Sequence, residues 1–518
     1  MNRQRALLFT TAAVGWYLLQ SLSIMNDAPP ASPDGAVFAD AARNLATSGH
    51  PGTNLVVGMK DHVYWQPPGY LLALAATFRL FGYGLWQLRL LSLAFGAGCL
   101  WMVYALSMKL HDDRLTALVA VVILAFDPLF AKWARWDRMD PICMFLVLLS
   151  VFFYLTALEK PRRRWLFLAG TSASAAMLVH PNGAISVIVL GLHAVFVRKP
   201  SRGEIAMFFI PLVLLFIGWA MYVAQDPGEF AVQMQYQMDR KLQYGGGAWL
   251  AILSQYRFVP TYIVIVIGAL TFAYWSLKKS GELRNALVAI AVLVVLCSYL
   301  FIKGPYYHTY LAPVLGLAAS PLLVKGLRSE QRMRKLVATL LSLLVLNGIA
   351  YALSMTWLYQ GKLKREASHR VLVQRILQYL PPRTSFGHFG YPTPYWALND
   401  IHESDRLREM YFLHPGHEGE VFDGIEYLVF TQSSNPLSDD AATRRDVDFS
   451  DAVLGREGKR LRFVAAVGEQ KTNAYRALIY SIESGYNVAG GGEYVSPWPV
   501  TKRLANLQAP HHAPSPCG

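Results

Sequence analysis

The sequence predicts a polytopic α-helical membrane protein with a small α/β domain at the end of the chain. The 518 residues are 54% hydrophobic and only 16% charged, a balance that is rare among soluble proteins. The apolar residues come in runs of about 20, the length that a helix needs to cross a bilayer. The basic residues cluster in short segments between these runs, as they do in cytoplasmic loops.

The apolar runs give about eleven predicted spans. They cover residues 6–25, 85–108, 115–131, 141–158, 165–179, 184–197, 205–224, 257–277, 285–302, 306–324 and 336–357. A further apolar stretch, 67–82, decides the topology, since its crossing would move every later loop to the other side. The basic loops after it share the cytoplasmic side with the N-terminus only if 67–82 lies at the interface or re-enters the membrane.

This topology places the other loops outside the cytoplasm. They include the long first outer loop, 26–84, with interfacial helices, and the segments 132–140 and 303–305. The chain's unusual polar residues thereby gather on one face, although outer loops are generally polar and some gathering is expected. The net charge of +14 then reflects topology, and no nucleic-acid partner is predicted.

The composition changes after the last span. We predict a transmembrane domain over 1–360, an extracytoplasmic α/β domain over 361–485 and a disordered tail over 486–518, which is rich in Gly, Pro and His. The α/β assignment rests on a helical pattern at 369–380 and on β-type runs at 427–430, 462–465 and 478–482. The four cysteines show neither a disulfide framework nor metal spacing.

Two acids stand where an outer loop meets a helix. Asp34 precedes a helical stretch over 36–47, and Asp140 precedes Pro141 at the mouth of an apolar run. Each could simply cap its helix, a role that Asp fills well. Each could instead act on a substrate at the membrane surface, and the two roles do not exclude one another.

Aromatic and cationic residues accompany these acids in the outer loops. Residues 64–70 read Tyr-Trp-Gln-Pro-Pro-Gly-Tyr, which suits an interfacial anchor or a platform for a polar head group. Residues 303–308 read Lys-Gly-Pro-Tyr-Tyr-His at the outer end of a run, where the lysine could snorkel or could bind a phosphate. The predicted substrate-binding residues are Lys303, Arg138, His62, Gln66, Tyr70, Tyr306 and His308.

In this order, these segments resemble the GT-C superfamily of membrane glycosyltransferases. The resemblance is to the branch with dolichyl-phosphate-mannose protein mannosyltransferases and lipid A aminoarabinose transferases, and it covers about residues 1–360. It is carried by Pro-Asp-Gly at 33–35, Gln-Pro-Pro-Gly-Tyr at 66–70, Arg-Met-Asp-Pro at 138–141 and the segment 303–313. The resemblance implies 11–13 spans, with Asp34 as the catalytic aspartate, Asp140 as a second functional acid and Lys303 as a contact to the donor phosphate.

The resemblance also implies the chemistry. A sugar would move from a polyprenyl-phosphate donor to a lipid, glycan or protein acceptor at the outer face of the inner membrane, with inversion. No cofactor is required by these residues, while Asp34, Asp140 and His62 leave a divalent metal open. Many relatives carry Asp-Glu where this chain has Asp34-Gly35, so a role for a second carboxylate there is lost. The alternative function is a transporter or flippase, which charges paired within the spans would favour.

Overall fold

The computed structural model describes most of the chain from residue 2 to residue 484. The described ranges are 2–25, 31–56, 58–160, 163–198, 200–242, 261–278, 283–302, 305–364, 369–390, 393–410, 422–432, 476–484 and, with short gaps, 443–467. The α-helices in these ranges are α1 Arg3–Leu22, α2 Pro33–Ser48, α3 Gly69–Phe81, α4 Leu85–His111, α5 Arg114–Ala125, α6 Pro128–Ala134, α7 Asp140–Glu159, α8 Arg163–Val179, α9 Ala184–His193, α10 Arg202–Val223, α11 Pro227–Leu242, α12 Thr261–Lys278, α13 Leu283–Ile302, α14 His308–Leu327, α15 Gln331–Lys364, α16 His369–Leu377 and α17 Tyr395–Asp400.

Each predicted apolar run overlaps a helix, and the polytopic membrane class is confirmed. Within the described ranges, six helical segments are long and apolar enough to cross a membrane, or seven if a bent pair counts as one span. The remaining runs form helices that are shorter, less apolar or only partly described, so the predicted number of spans stays a prediction. The six segments are Leu85–His111, Asp140–Glu159, Pro181–Arg198, Arg202–Val223, His308–Leu327 and Gln331–Trp357.

The run predicted as one straight span over 115–131 is a bent pair of helices. Helices α5 and α6 meet at an angle of 67°. The break has a local cause, because Oδ1 of Asp127 accepts hydrogen bonds from the backbone N–H groups of Leu129 and Phe130 and Pro128 occupies the first helical position. Both features begin a new helix rather than continue an old one.

The first outer loop contains two helices, as predicted. Helix α2 has 16 residues, and α3 has 13 residues, too few to cross the hydrocarbon core of a bilayer. The length of α3 therefore agrees with an interfacial or re-entrant position. Its first residue, Gly69, faces the backbone of Leu178 so closely that a Cβ would lie 2.7 Å from the carbonyl oxygen.

The C-terminal part forms a five-stranded sheet, as the predicted α/β domain requires. The strands are β1 Phe386–Gly390, β2 Leu407–Glu409, β3 Tyr427–Gln432, β4 Lys459–Val467 and β5 Arg476–Ser484, in the order β2-β1-β3-β5-β4. The three predicted runs correspond to β3, β4 and β5, whereas the short strands β1 and β2 were not predicted. The limits of the domains stay a prediction, and residues 486–518 lie outside the described residues.

Candidate active site

The catalytic aspartate predicted in the first outer loop lies in the first turn of helix α2. The N-cap is Ser32, whose side-chain oxygen accepts a hydrogen bond of 2.8 Å from the backbone N–H of Gly35. Asp34 therefore does not cap the helix, and the capping interpretation of this residue is wrong. Its side chain is 15% exposed, at a helix end where the macrodipole stabilises negative charge.

Asp34 and Asp140 meet at one guanidinium group. Nη1 of Arg138 donates to Oδ2 of Asp34 at 3.1 Å, and Nε of the same arginine donates to Oδ2 of Asp140 at 2.8 Å. The side chains of Arg138 and Asp140 are 6% and 1% exposed. The structure thus brings together three predicted site residues from two loops that are about a hundred residues apart in the chain.

Asp140 opens helix α7 without capping it. The N-cap position is Met139, which makes no side-chain hydrogen bond to the helix. Among the described residues, Oδ1 of Asp34 and Oδ1 of Asp140 are both buried and have no hydrogen-bond partner. Such oxygens are costly to bury unless something binds them, which is the expected state of groups that await a substrate.

Aromatic rings line this carboxylate pair. The guanidinium of Arg138 lies 3.8 Å from the ring centre of Tyr306, a close cation–π contact. Tyr70 is fully buried, interacts electrostatically with Arg138 and Asp140, and packs edge-on against Phe38 of helix α2. The predicted outer loops therefore converge at one end of the helix bundle, as the charge pattern of the sequence indicated.

Gln66 and His62 bind protein groups rather than the acidic pair. Nε2 of Gln66 donates to the carbonyl oxygen of Val179. The ring of His62 stacks on Tyr64 with ring centres 5.0 Å apart. The backbone carbonyl oxygen of His62 accepts a hydrogen bond of 3.1 Å from Nε2 of Gln233. Both residues shape the loop that precedes α3, and their substrate-binding role stays a prediction.

His308 occupies the interior of the bundle. It is fully buried, and Nε2 lies 2.7 Å from Oδ2 of Asp127, the residue that caps α6. This pair joins the start of α14 to the bend between α5 and α6, so the geometry favours a structural role over the predicted contact with substrate. Lys303 lies outside the described residues, and its predicted contact to a phosphate is not addressed by the structure.

A second buried arginine stands behind the site. Nη2 of Arg89 lies 3.7 Å from Oδ1 of Asp137, and both side chains are 0% exposed. Burial raises the pKa of Asp137, while Arg89 and the hydrogen bonds from Ser32 lower it. Sequence reasoning did not assign either residue to the site. The signal available was Arg89 itself, since an arginine four residues into an apolar helix needs a partner.

The C-terminal domain also contacts helix α2. The hydroxyl of Tyr395 donates to Oδ1 of Asp40 at 3.0 Å, and that of Thr53 donates to Oδ2 at 2.7 Å. Burial raises the pKa of Asp40 above its ordinary value. The backbone N–H of Thr393 donates to the carbonyl oxygen of Ala31 at 3.3 Å. The domain therefore fixes the outer loop on both sides of Asp34.

The three residues considered for a metal site, Asp34, Asp140 and His62, do not form one cluster. Across the described ranges, no group of three or more His, Cys, Asp or Glu side chains is arranged to hold a metal ion. The space between Asp34 and Asp140 is taken by the guanidinium of Arg138. The ring of His62 packs instead between Tyr64 and Tyr222.

Comparisons with known proteins agree with the fold. Residues 65–223 match the family described as dolichyl-phosphate-mannose-protein mannosyltransferase. The structure is similar to that of ArnT from Cupriavidus metallidurans bound to undecaprenyl phosphate, with a TM-score of 0.56 and 14% identity, over 92% of this chain and 98% of that one. No curated protein matches the sequence at a significant level.

A second solved structure widens the comparison. The archaeal oligosaccharyltransferase AglB from Archaeoglobus fulgidus, in complex with an inhibitory peptide and a dolichol-phosphate, matches with a TM-score of 0.54 and 13% identity, over 91% of this chain and 74% of that one. The predicted resemblance to the GT-C superfamily, on the mannosyltransferase and ArnT branch, is therefore confirmed. The family match covers residues 65–223, and the shared fold is that of a multi-pass membrane protein.

Proposed function

We propose that this protein transfers a sugar from a polyprenyl-phosphate donor to an acceptor in the cell envelope. The observation that carries the proposal is the acidic pair bridged by Arg138, with one free carboxylate oxygen on each acid. This pair lies where outer loops converge at the end of an apolar bundle. Such a position suits a substrate with a lipid tail and a polar head. The polyprenyl phosphates bound to ArnT and AglB support this class of donor.

Asp34 is the general base of the proposed reaction. Its free Oδ1 accepts the proton of the acceptor hydroxyl as the hydroxyl oxygen attacks the anomeric carbon. The bond from that carbon to the phosphate oxygen breaks, and the polyprenyl phosphate leaves with the electron pair. One displacement inverts the anomeric configuration. General-base assistance contributes about 10²- to 10⁴-fold to such a rate.

Arg138 and Asp140 prepare this base for its task. The guanidinium holds Oδ2 of Asp34, so the other oxygen keeps one orientation. Asp140 fixes the guanidinium from its other edge and offers its own free oxygen to a sugar or acceptor hydroxyl. A fixed base and a positioned acceptor lower the barrier mainly by orientation. The mechanism assigns no step to a metal, and the divalent metal for which Asp34, Asp140 and His62 were considered stays a prediction.

Transfer takes place at the extracytoplasmic face of the inner membrane in this proposal. The support is the positive-inside rule, which puts the basic loops on the opposite side from Asp34. The donor phosphate would contact Lys303, the cation that the resemblance implies, and the isoprenoid tail would lie between the helices. The acceptor is a lipid, a glycan or a protein, as the sequence prediction left it.

A transfer assay tests the proposal against the transporter alternative. The purified full-length protein is incubated with a panel of polyprenyl-phosphate sugars and an extract of envelope acceptors, and the products are analysed by mass spectrometry and NMR. We expect release of polyprenyl phosphate and a glycoside of inverted configuration. If the protein moves labelled donor across the bilayer of a proteoliposome but forms no glycoside, the transporter alternative is correct.

The side of the membrane is tested separately. Single cysteines at positions 50 and 163 are labelled in intact cells with a membrane-impermeant reagent. Position 50 lies in the first outer loop and position 163 is the first residue of α8, in the basic segment before that span, so we expect labelling at position 50 alone. Equal labelling at both positions would contradict the proposed topology.

A further inference from the structure

A buried contact joins the two loops that carry the acidic pair. Oδ2 of Asp137 accepts two hydrogen bonds from Ser32, one from its backbone N–H at 2.9 Å and one from its hydroxyl at 2.8 Å. Both residues are 0% exposed. Ser32 precedes Asp34 by two positions, and Asp137 precedes Arg138 by one. The contact therefore sets the distance between the base and the guanidinium that holds it.

The close approach depends on a residue without a side chain. A Cβ built on Gly35 would lie 2.0 Å from Oδ2 of Asp137 and 2.6 Å from its Cγ, which is sterically forbidden. This position is also the one where the chain departs from the Asp-Glu pattern of many relatives. Here the carboxylate of Asp137 fills the space that a side chain at position 35 would need.

Helix α4 supports the contact from behind. Arg89 faces Oδ1 of Asp137 at 3.7 Å, and its Nη1 donates to the carbonyl oxygen of Met25 at 2.5 Å. One turn further along α4, the hydroxyl of Ser92 donates to the carbonyl oxygen of Arg138 at 2.9 Å. A single rigid helix thus holds the end of α1, the loop of Asp137 and the backbone of Arg138.

We infer that Asp137 is a positioning residue for the transfer reaction and acts through Ser32 on the orientation of Asp34. The inference rests on the proposed function, since it assigns Asp137 a part in the same site. Asp137 is buried behind the helix end and touches neither donor nor acceptor. Its loss should therefore lower kcat and leave the KM for the donor nearly unchanged. A displacement near 1 Å at a reacting group lowers a rate by as much as about 100-fold.

Two matched pairs of variants separate positioning from a general loss of stability. Ser32→Ala removes the N-cap of α2, where the Ser32 hydroxyl accepts from the backbone N–H of Gly35. Ser201→Ala removes the N-cap of α10, where the Ser201 hydroxyl accepts from the backbone N–H of Glu204. Gly35→Ala places a methyl group against Asp137, whereas Gly15→Ala in α1 meets nothing within 4 Å. Asp137→Asn, which keeps an acceptor for Ser32 and loses the charge, is measured with them.

The experiment compares kcat, donor KM and melting temperature for the full-length proteins in nanodiscs. We expect kcat to fall by between about tenfold and about 100-fold for Ser32→Ala and Gly35→Ala, with donor KM within about twofold, and we expect parental kcat for Ser201→Ala and Gly15→Ala. Parental kcat in both folded site variants would overturn the inference. If Gly35→Ala does not fold, the kcat of Ser32→Ala alone tests the inference, and a parental value overturns it. An inactive parent with every donor would instead refute the proposed function.

Discussion

Among the described residues, two arginines are buried next to carboxylates, and their surroundings differ in access. Arg138 bridges Asp34 and Asp140, and the side chain of Asp34 remains 15% exposed. Arg89 faces Asp137, and neither side chain has any exposed surface. The first group lies partly open at the end of the bundle, while the second is closed to solvent.

The difference separates a reactive group from a supporting one. Each acid of the Arg138 group keeps an oxygen that no described residue binds, and such an oxygen can accept a proton from a substrate. Oδ2 of Asp137 accepts the two hydrogen bonds from Ser32, while its Oδ1, which has no hydrogen-bond partner in the described part of the chain, lies 3.7 Å from Arg89 in a pair with no exposed surface. A buried ion pair contributes little net stability but is costly to break. Substitutions in the first group should therefore lower the rate, and those in the second should lower stability as well.

The largest expected effect on the rate is that of Asp34→Asn. Loss of the base should lower turnover by about 10²- to 10⁴-fold. The melting temperature should change little, because the cap of α2 is Ser32. Asp61→Asn is a matched control, since Asp61 is an exposed residue of the same outer loop. Turnover by Asp34→Asn at the level of the control would show that Asp34 is not the base.

Arg138→Ala should have the next largest effect. The guanidinium holds Oδ2 of Asp34 and Oδ2 of Asp140, so its loss frees the base from its fixed orientation. Turnover should fall by about 100-fold. Turnover of Arg138→Lys should lie between those of the parent and Arg138→Ala, because a lysine lacks the planar fork that bridges both acids. Parental turnover in a folded Arg138→Ala protein would contradict this role.

Arg89→Ala should act mainly on stability. The change leaves Asp137 buried without its counter-charge, at a cost of about 3–5 kcal/mol. The double variant Arg89→Met with Asp137→Asn removes both charges and should regain most of the stability, because a buried pair can be replaced by neutral groups. We expect thermal melts to show this recovery. A double variant as unstable as Arg89→Ala would show that the pair is not coupled.

The smallest expected effect concerns the contact between the C-terminal domain and helix α2. Burial raises the folded-state pKa of Asp40, so the folded protein binds more protons there than the unfolded chain does. Its contribution to stability is present below the unfolded pKa and is lost as the pH rises through the folded pKa. Asp40→Asn should remove this part of the pH dependence of the melting temperature. An identical slope in both proteins would contradict it.

The membrane class and the convergence of the outer loops could be predicted from the sequence. Hydropathy and basic loops depend on local composition, which is why the helices follow the apolar runs. The same patterns placed Asp34 and Asp140 where outer loops meet helices. The bend at Asp127 was missed because a span-length average hides an Asp-Pro break. The short strands β1 and β2 lack a distinct pattern, since three to five residues give too few alternations.

The contacts within the site could not be predicted in the same way. The structure engages Arg138 with two carboxylates, a pairing that the sequence did not indicate, and its predicted contact to a phosphate stays a prediction. His308 pairs with Asp127 inside the bundle, and its predicted contact to substrate stays a prediction. Which of several polar residues meet depends on long-range packing between loops. The hydrogen bonds between Ser32 and Asp137 join distant parts of the chain, and no local pattern in the sequence predicts them.

The central claim is that Asp34 removes a proton from the acceptor, and chemical rescue of Asp34→Asn tests it most directly. Azide is an anionic nucleophile that needs no base, so it can attack the anomeric carbon in place of the acceptor. With azide, the folded variant should regain release of polyprenyl phosphate and form a glycosyl azide of inverted configuration, while the parent gains little. Parental transfer to the natural acceptor by Asp34→Asn without azide would contradict the claim.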